Sequence, residues 1–194
     1  MEERNLNNNE SLELIAQMIM ATKTKLERGG GGSIFLIWGY TTLLTAIVVY
    51  AGLALTGNPM YSWIWFAIPI VGSLLMLLFK RKRTKRVTTY IDRVISYVWT
   101  VIGCIACLIP IVSIFLDYRF PIITVIGILI MIGVTLTGLI IEFKALWICG
   151  ILGIALSLCM PFFSGMNQII IFAAIFVICM IIPGHILKCK EKRR

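Results

Sequence analysis

The sequence predicts an all-α protein: a polytopic bundle of six transmembrane helices, arranged as three hairpins and preceded by a short amphipathic helix. Three observations predict this fold, namely the composition, six apolar segments of spanning length and the one-sided distribution of basic residues. Of 194 residues, 59% are hydrophobic and only 14% are charged, and the mean hydropathy is +0.95. A soluble globular domain does not have this composition, because about a quarter of its residues are charged.

Six apolar segments are long enough to cross a bilayer. A helix needs about 20 residues to cross roughly 30 Å of hydrocarbon, where it satisfies its own backbone amides. The predicted spans are residues 34–55, 60–79, 94–116, 122–141, 145–163 and 169–187, and none has Asp, Glu, Lys or Arg in its interior. The first and second, third and fourth, and fifth and sixth spans are joined by short connectors. We therefore expect three hairpins and no folded domain outside the cell.

The basic residues predict the orientation. When the connectors are assigned alternately to two sides, all of the eighteen Lys and Arg residues except Arg119 share one side. By the positive-inside rule that side is cytoplasmic, so both termini are expected in the cytoplasm and the protein in a bacterial inner membrane. Residues 1–33 are polar and show no cleavable signal peptide, so the first apolar segment is expected to act as an uncleaved anchor.

The chain divides into three regions: a cytoplasmic amphipathic helix and glycine-rich hinge (1–33), the transmembrane domain (34–187) and a basic cytoplasmic tail (188–194). In the first region, apolar side chains recur at helical spacing. They form a candidate docking face of Leu12, Ile15, Met18, Ile19 and Leu26. Such a helix can lie on the inner leaflet, pack against its own bundle or pair with a partner helix, and the sequence leaves these alternatives open.

A dense basic loop follows the second span. Its residues are Lys80, Arg81, Lys82, Arg83, Lys85 and Arg86. At about 1 kcal/mol of attraction for each basic residue near an anionic leaflet, the loop can bind acidic lipids, although fixing the topology is its simpler role. No aromatic or glycine pattern for RNA or DNA accompanies it, so we expect no nucleic acid partner.

Cys104 and Cys107 form a CxxC motif inside the third predicted span. This spacing suits a redox pair, but a thiolate is disfavoured in the middle of a bilayer, so packing is the favoured interpretation. His185 is the single histidine, and no second His or carboxylate shares its span. We therefore expect an interfacial histidine without a metal, and no catalytic residue or cofactor.

Two stretches near the start of the chain resemble a known group of proteins. They are Ser-Leu-Glu-Leu-Ile-Ala-Gln-Met-Ile at 11–19 and Phe-Leu-Ile-Trp-Gly-Tyr-Thr-Thr at 35–42, separated by a lysine-rich helix end. Over residues 11–50 the chain resembles small uncharacterised inner-membrane proteins of anaerobic gut bacteria. The resemblance implies a membrane protein and carries over no activity or site residue.

The absence of charge inside the spans favours a non-enzymatic accessory or regulatory membrane subunit, because ion-coupled transporters and pumps place such groups on the pathway. The alternative is a transporter or channel subunit for a small neutral or apolar solute, since Pro69, Pro110 and Pro183 interrupt spans. We expect no enzyme activity. The expected partners are membrane lipids, a membrane or cytoplasmic protein bound through the amino-terminal helix, and, as an open alternative, further copies of the chain.

The orientation is testable with topology reporters. Fusions after Arg83 and after Arg194 should both report a cytoplasmic position, and a fusion after Arg119 should report the opposite side. Paired cytoplasmic and periplasmic reporters, such as a fluorescent protein and alkaline phosphatase, measure this directly. Opposite readings for the Arg83 and Arg194 fusions would reject the even number of spans.

Overall fold

The structure, a computed structural model, describes residues 12–14, 16–17, 31–81, 90–115, 121–163 and 165–193. Within these ranges, six helical stretches are long and apolar enough to cross a membrane, which confirms the predicted number of candidate spans. We number them in chain order from the first to the sixth span. They cover Gly32–Thr56, Pro59–Phe79, Tyr90–Ser113, Ile122–Ile140, Lys144–Phe162 and Asn167–Cys189.

The helices that build these spans change type at three places. A 3₁₀ helix opens the second span, a short 3₁₀ turn closes the fifth, and a π-helical segment interrupts the sixth. In chain order the elements are α1 (Gly31–Thr56), the 3₁₀ helix Pro59–Phe66, α2 (Ala67–Arg81), α3 (Tyr90–Phe115), α4 (Ile122–Ile140), α5 (Lys144–Cys159), the 3₁₀ turn Met160–Phe162, α6 (Asn167–Phe176), the π segment Val177–Ile181 and α7 (Ile182–Arg193).

The first and last helices are longer than the sequence predicts. Helix α1 includes Gly31 and Gly32, which the sequence analysis assigns to the hinge, and α7 runs to Arg193, through most of the predicted tail. The reason at the first helix is contact with the last one. A Cβ atom on Gly32 would lie 2.8 Å from the carbonyl oxygen of Gly184 and from the amide nitrogen of Lys188. The two backbones can approach this closely only because Gly32 has no side chain.

A tight turn joins the first and second spans. Gly57 has a φ of +64°, a conformation that residues with a Cβ rarely adopt. Asn58 then caps the 3₁₀ helix, because its side-chain oxygen accepts a hydrogen bond of 2.9 Å from the amide of Met60. The ring of Tyr61 folds back over Gly52 of α1, where an added Cβ would collide with the ring. This turn therefore holds the start of the second span against the end of the first.

The fourth and fifth spans pack against each other along a series of small residues. They are joined by a short turn in which Glu142 has a φ of +52°. An added Cβ would meet the opposite helix at each of four successive levels, which defines one continuous antiparallel register. The facing pairs are Gly138 with Trp147, Thr135 with Gly150, Met131 with Gly153, and Gly127 with Ser157. In lipid, where no hydrophobic effect drives helices together, this close packing holds the pair.

The sixth span lies against both this pair and the first span. Its Cys179 faces Gly153 and its Phe172 faces Gly127, so the fourth, fifth and sixth spans share one core. On its other side, Ile181 lies against Gly39 of the first span. The largest fully buried apolar side chains lie in the last three spans and are Phe176, Met131, Leu146, Met160, Ile175 and Met180, with Val49 of the first span and Val134 of the fourth.

The second and third spans lie outside this core. Only 6% of the apolar window of each is buried, against 50% for the sixth span. The second span holds to the first where the indole of Trp38 covers Gly72. The third span meets the fourth where the indole nitrogen of Trp99 donates a hydrogen bond of 3.1 Å to the hydroxyl of Thr137. The described residues therefore form a four-helix core with two outer helices, and the predicted grouping into three hairpins stays a prediction.

The close contact between the fourth and fifth spans can be tested at Gly150. A methyl group there would lie 2.3 Å from the hydroxyl of Thr135 and 2.8 Å from its backbone nitrogen. Because backbone cannot move aside cheaply, Gly150→Ala should destabilise the protein by about 1–3 kcal/mol. Thermal unfolding in detergent, followed by tryptophan fluorescence, measures the loss.

Gly103→Ala is the matched control. Gly103 also lies within a transmembrane helix, but an added Cβ there meets nothing within 4 Å. This variant should be as stable as the natural protein or slightly more so, because alanine favours the helix. Equal losses for the two variants would contradict the packing of the fourth span on the fifth.

Candidate functional site at the basic end of the first and sixth spans

The charged residues of the bundle gather at one end. We call this the basic end; it contains the start of the first, third and fifth spans and the end of the second, fourth and sixth. Among described residues from 31 to 193, every Asp, Glu, Lys and Arg lies there. These residues are Lys80, Arg81, Asp92, Arg93, Glu142, Lys144, Lys188, Lys190, Glu191, Lys192 and Arg193. The polar chemistry that the described bundle can offer to an aqueous partner is therefore concentrated at this end.

A polar pair lies between the first and sixth spans near this end. The hydroxyl oxygen of Tyr40 is 2.9 Å from Nε2 of His185, which is a hydrogen bond. The two rings stand edge to face, with their centroids 6.0 Å apart and their planes at 82°. The residues are 145 positions apart in the chain, so only the pairing of the first and last helices brings them together.

The direction of the side chains explains how the pair forms. Gly184 lies beside Leu36, so the backbone of Tyr40 is about four residues deeper in the bundle than that of His185. In a helix each Cα–Cβ bond leans toward the amino terminus. For Tyr40 that direction is toward the basic end, and for His185 it is away from it. The two side chains therefore converge.

The helix that carries His185 is irregular just before it. Val177–Ile181 is a π segment, and Pro183 follows in the next turn. Proline has no N–H to donate and its ring crowds the carbonyl of the residue four positions earlier, here Cys179, so a regular α-helix cannot continue unchanged. The wider turn accommodates it. Such π-helical turns occur frequently at functional sites, which makes this part of the sixth span the strongest candidate.

The surroundings of the pair are apolar and face outward. Tyr40 is 43% exposed and His185 is also exposed, while Leu44, Ile178 and Ile182 beside them are exposed as well. Exposed aliphatic side chains on a spanning helix indicate contact with lipid tails. One turn after His185, Lys188 is exposed on the same side of the helix. Two hydrogen-bonding rings and a cation thus border a lipid-facing surface.

The predicted docking face falls mostly outside the described residues. Leu12 is helical and 65% exposed. The other members, Ile15, Met18, Ile19 and Leu26, lie outside the described residues. The exposed position of Leu12 is compatible with all three roles of the amino-terminal helix, and the amphipathic helix itself stays a prediction.

The predicted basic loop is described only at its beginning. Lys80 and Arg81 form the end of α2. Lys82, Arg83, Lys85 and Arg86 lie outside the described residues. The start of the loop is thus at the basic end, on an outer helix.

The cysteines of the CxxC motif face away from the core. Cys104 and Cys107 are both exposed on the third span, and all six cysteines are free thiols. They therefore fill no gap between the described helices, which was the role favoured by the sequence. Nothing in the structure assigns them a redox role. No group of three or more metal-binding side chains occurs within the described ranges.

Two buried hydroxyls differ from the others. The hydroxyls of Thr residues in the spans donate to the carbonyl four residues earlier, as Thr135 does to Met131 at 2.8 Å. Thr124 and Ser157 are buried, and in the described part of the chain their hydroxyl oxygens have no hydrogen-bond partner. Ser157 faces Gly127 in the shared core of the last three spans. The core therefore has a small polar position in its half away from the basic end.

The sequence offered no signal for the Tyr40–His185 pair. His185 was recognised as a lone interfacial histidine, but a partner on another helix can be found only when the helix pairing is known. Pro183 and Gly184 were a local signal, since they mark a departure from regular helix. Comparisons of the chain with family models, with curated proteins and with solved structures give no match.

The Tyr40–His185 bond can be tested by a double-mutant cycle. Tyr40→Phe removes only the hydroxyl, and His185→Leu removes the ring nitrogen. The two substitutions should each destabilise the protein, and their combination should cost less than the sum by about 0.5–1.5 kcal/mol, because either one already breaks the bond. Unfolding in detergent measures the three free energies.

Tyr50→Phe combined with His185→Leu is the control cycle. Tyr50 lies on the same helix, ten residues further from the basic end. Its effect should add to that of His185→Leu within about 0.5 kcal/mol. Additive effects in the Tyr40 cycle as well would mean that the hydrogen bond contributes nothing.

Proposed function

We propose that this protein is a non-enzymatic accessory or regulatory subunit of a bacterial inner membrane, with six spans in three hairpins and both ends in the cytoplasm. The observation that carries the proposal is the segregation of charge: the described charged residues of the bundle all lie at the basic end. A soluble or membrane partner can therefore recognise the protein electrostatically only at this end. By the positive-inside rule it faces the cytoplasm.

The interior of the bundle supports a structural role over a catalytic one. Its core is made of aliphatic and aromatic side chains, with Met131, Leu146 and Phe176 among the fully buried ones. A proton or ion pathway through lipid uses ionisable groups facing the bundle interior. The described part of the core contains none, and its polar groups are hydroxyls such as that of Thr137, which bonds the carbonyl of Gly133.

The amino-terminal helix is the proposed means of contact with the partner. Its candidate face consists of Leu12, Ile15, Met18, Ile19 and Leu26. An amphipathic helix places such a face into an apolar groove of another protein, and the glycines from Gly29 onward separate it from the first span. The basic loop of Lys80 to Arg86 would hold the cytoplasmic side against acidic lipids.

A second candidate function is a subunit that passes a small neutral solute. The observation that favours it is the pair of buried hydroxyls, Thr124 and Ser157, which have no partner within the described part of the chain. Hydroxyls left free inside a bundle can hydrogen-bond a solute. Proteoliposomes test it: a solute flux that falls in Ser157→Ala would favour this function, and no flux for a panel of neutral solutes would remove it.

The docking role gives a specific prediction. Replacing Leu12, Ile15 and Ile19 together by serine should leave membrane insertion intact but remove most crosslinks to the partner, because the apolar contact area is lost. Crosslinking in native membranes followed by mass spectrometry compares the crosslinked proteins of the variant and the natural protein.

The matched control changes the polar side of the same segment. Glu13→Ala with Gln17→Ala alters two helical residues without touching the apolar face. This variant should keep the crosslinks of the natural protein. If the apolar variant keeps them too, or if the natural protein yields no crosslinked partner, the docking role of this helix is rejected.

A further inference from the structure

We propose that the first and sixth spans form a binding site for an acidic glycerophospholipid at the basic end. The lipid's headgroup oxygens would accept hydrogen bonds from the Tyr40–His185 pair, and its negative charge would lie beside Lys188. This site is separate from the basic loop after the second span, and it does not depend on the identity of any protein partner.

The hydrogen-bond inventory of the pair requires an acceptor. If the Tyr40 hydroxyl donates to Nε2 of His185, the ring proton is on Nδ1 and that N–H is unused. If Nε2 donates instead, the tyrosine O–H is unused. In either arrangement at least one donor remains, because the described residues offer no second hydrogen bond to either ring. The missing partner is therefore an acceptor and not a donor.

The position of the pair identifies the acceptor. His185 lies four residues before Cys189, where the apolar span ends, which is about 6 Å along a helix. At this depth the exposed neighbours Leu44, Ile178 and Ile182 contact lipid tails, which cannot accept hydrogen bonds. The acceptors within reach of the boundary are the phosphate and ester oxygens of a phospholipid. The tails of the same lipid fit along the aliphatic side chains.

Lys188 makes an acidic headgroup the best fit. It lies one turn beyond His185, is exposed, and is one residue from the end of the apolar span. A long lysine side chain at a helix end extends toward the headgroups. A zwitterionic headgroup brings its own cation close to this lysine, whereas phosphatidylglycerol brings only the phosphate. The site should therefore prefer the acidic lipid.

The whole protein in detergent can be tested by native mass spectrometry with added phosphatidylglycerol or phosphatidylcholine. The natural protein should retain phosphatidylglycerol preferentially. Tyr40→Phe and Lys188→Gln should each weaken its binding about fivefold, as loss of one hydrogen bond or one cation near a headgroup does. Phosphatidylcholine binding should change little.

Two controls separate this site from general attraction to charge. Tyr50→Phe and Lys144→Gln remove a hydroxyl and a cation elsewhere, and both should bind phosphatidylglycerol as the natural protein does. A thermal unfolding scan checks that Tyr40→Phe and Lys188→Gln remain folded; if Tyr40→Phe does not, His185→Gln replaces it and should also weaken binding.

The remaining outcomes contradict the proposal. Equal weakening by Lys144→Gln would show general attraction to charge, and equal retention of the two lipids by the natural protein would show no headgroup preference. Competition by millimolar inorganic phosphate as effective as that by the lipid would assign the site to the free anion. Unchanged binding in Tyr40→Phe and Lys188→Gln would place the lipid elsewhere.

Discussion

Close approach of helix backbones is the constraint on which the rest of this structure depends. Lipid tails are as apolar as the helix surfaces, so burial of apolar side chains gives little net attraction between helices in a bilayer. Contact must come from packing, which is strongest where side chains are small. Gly138 and Gly150 allow it between the fourth and fifth spans, and Gly32 and Gly184 allow it between the first and sixth. The four-helix core follows from these contacts.

The outer helices show the same constraint from the other side. The second and third spans have few small residues directed at a neighbour, and each is held by a tryptophan contact instead: Trp38 on Gly72 and Trp99 on Thr137. Most of their aliphatic surface is exposed, and the glycine of the third span, Gly103, faces no neighbour. In a membrane this surface is solvated by lipid, and it is also the surface through which further copies or a partner would associate.

The sequence predicted the number and approximate limits of the spans because hydropathy and length depend only on local composition. The side on which each terminus lies is also a local count of Lys and Arg, and it stays a prediction. The packing could not be read in the same way. Gly153 and Ser157 were recognised as packing residues, but their neighbours Met131 and Gly127 follow only from the register of two helices. The Tyr40–His185 pair needed the partner of α1 to be known, and Cys104 was expected in a contact that the structure does not contain.

The π segment also determines which face of the last helix points where. A π turn holds one residue more than an α turn, so everything after Ile181 is rotated by about 100° relative to an uninterrupted helix. Cys179, Met180 and Ile181 are accordingly buried in succession, which one face of a regular helix cannot achieve. A helical wheel drawn straight through this region assigns the wrong side to His185. Deleting one residue from the segment would restore the regular winding, turn the imidazole out of reach of the tyrosine, and dismantle the polar edge without altering any of its side chains.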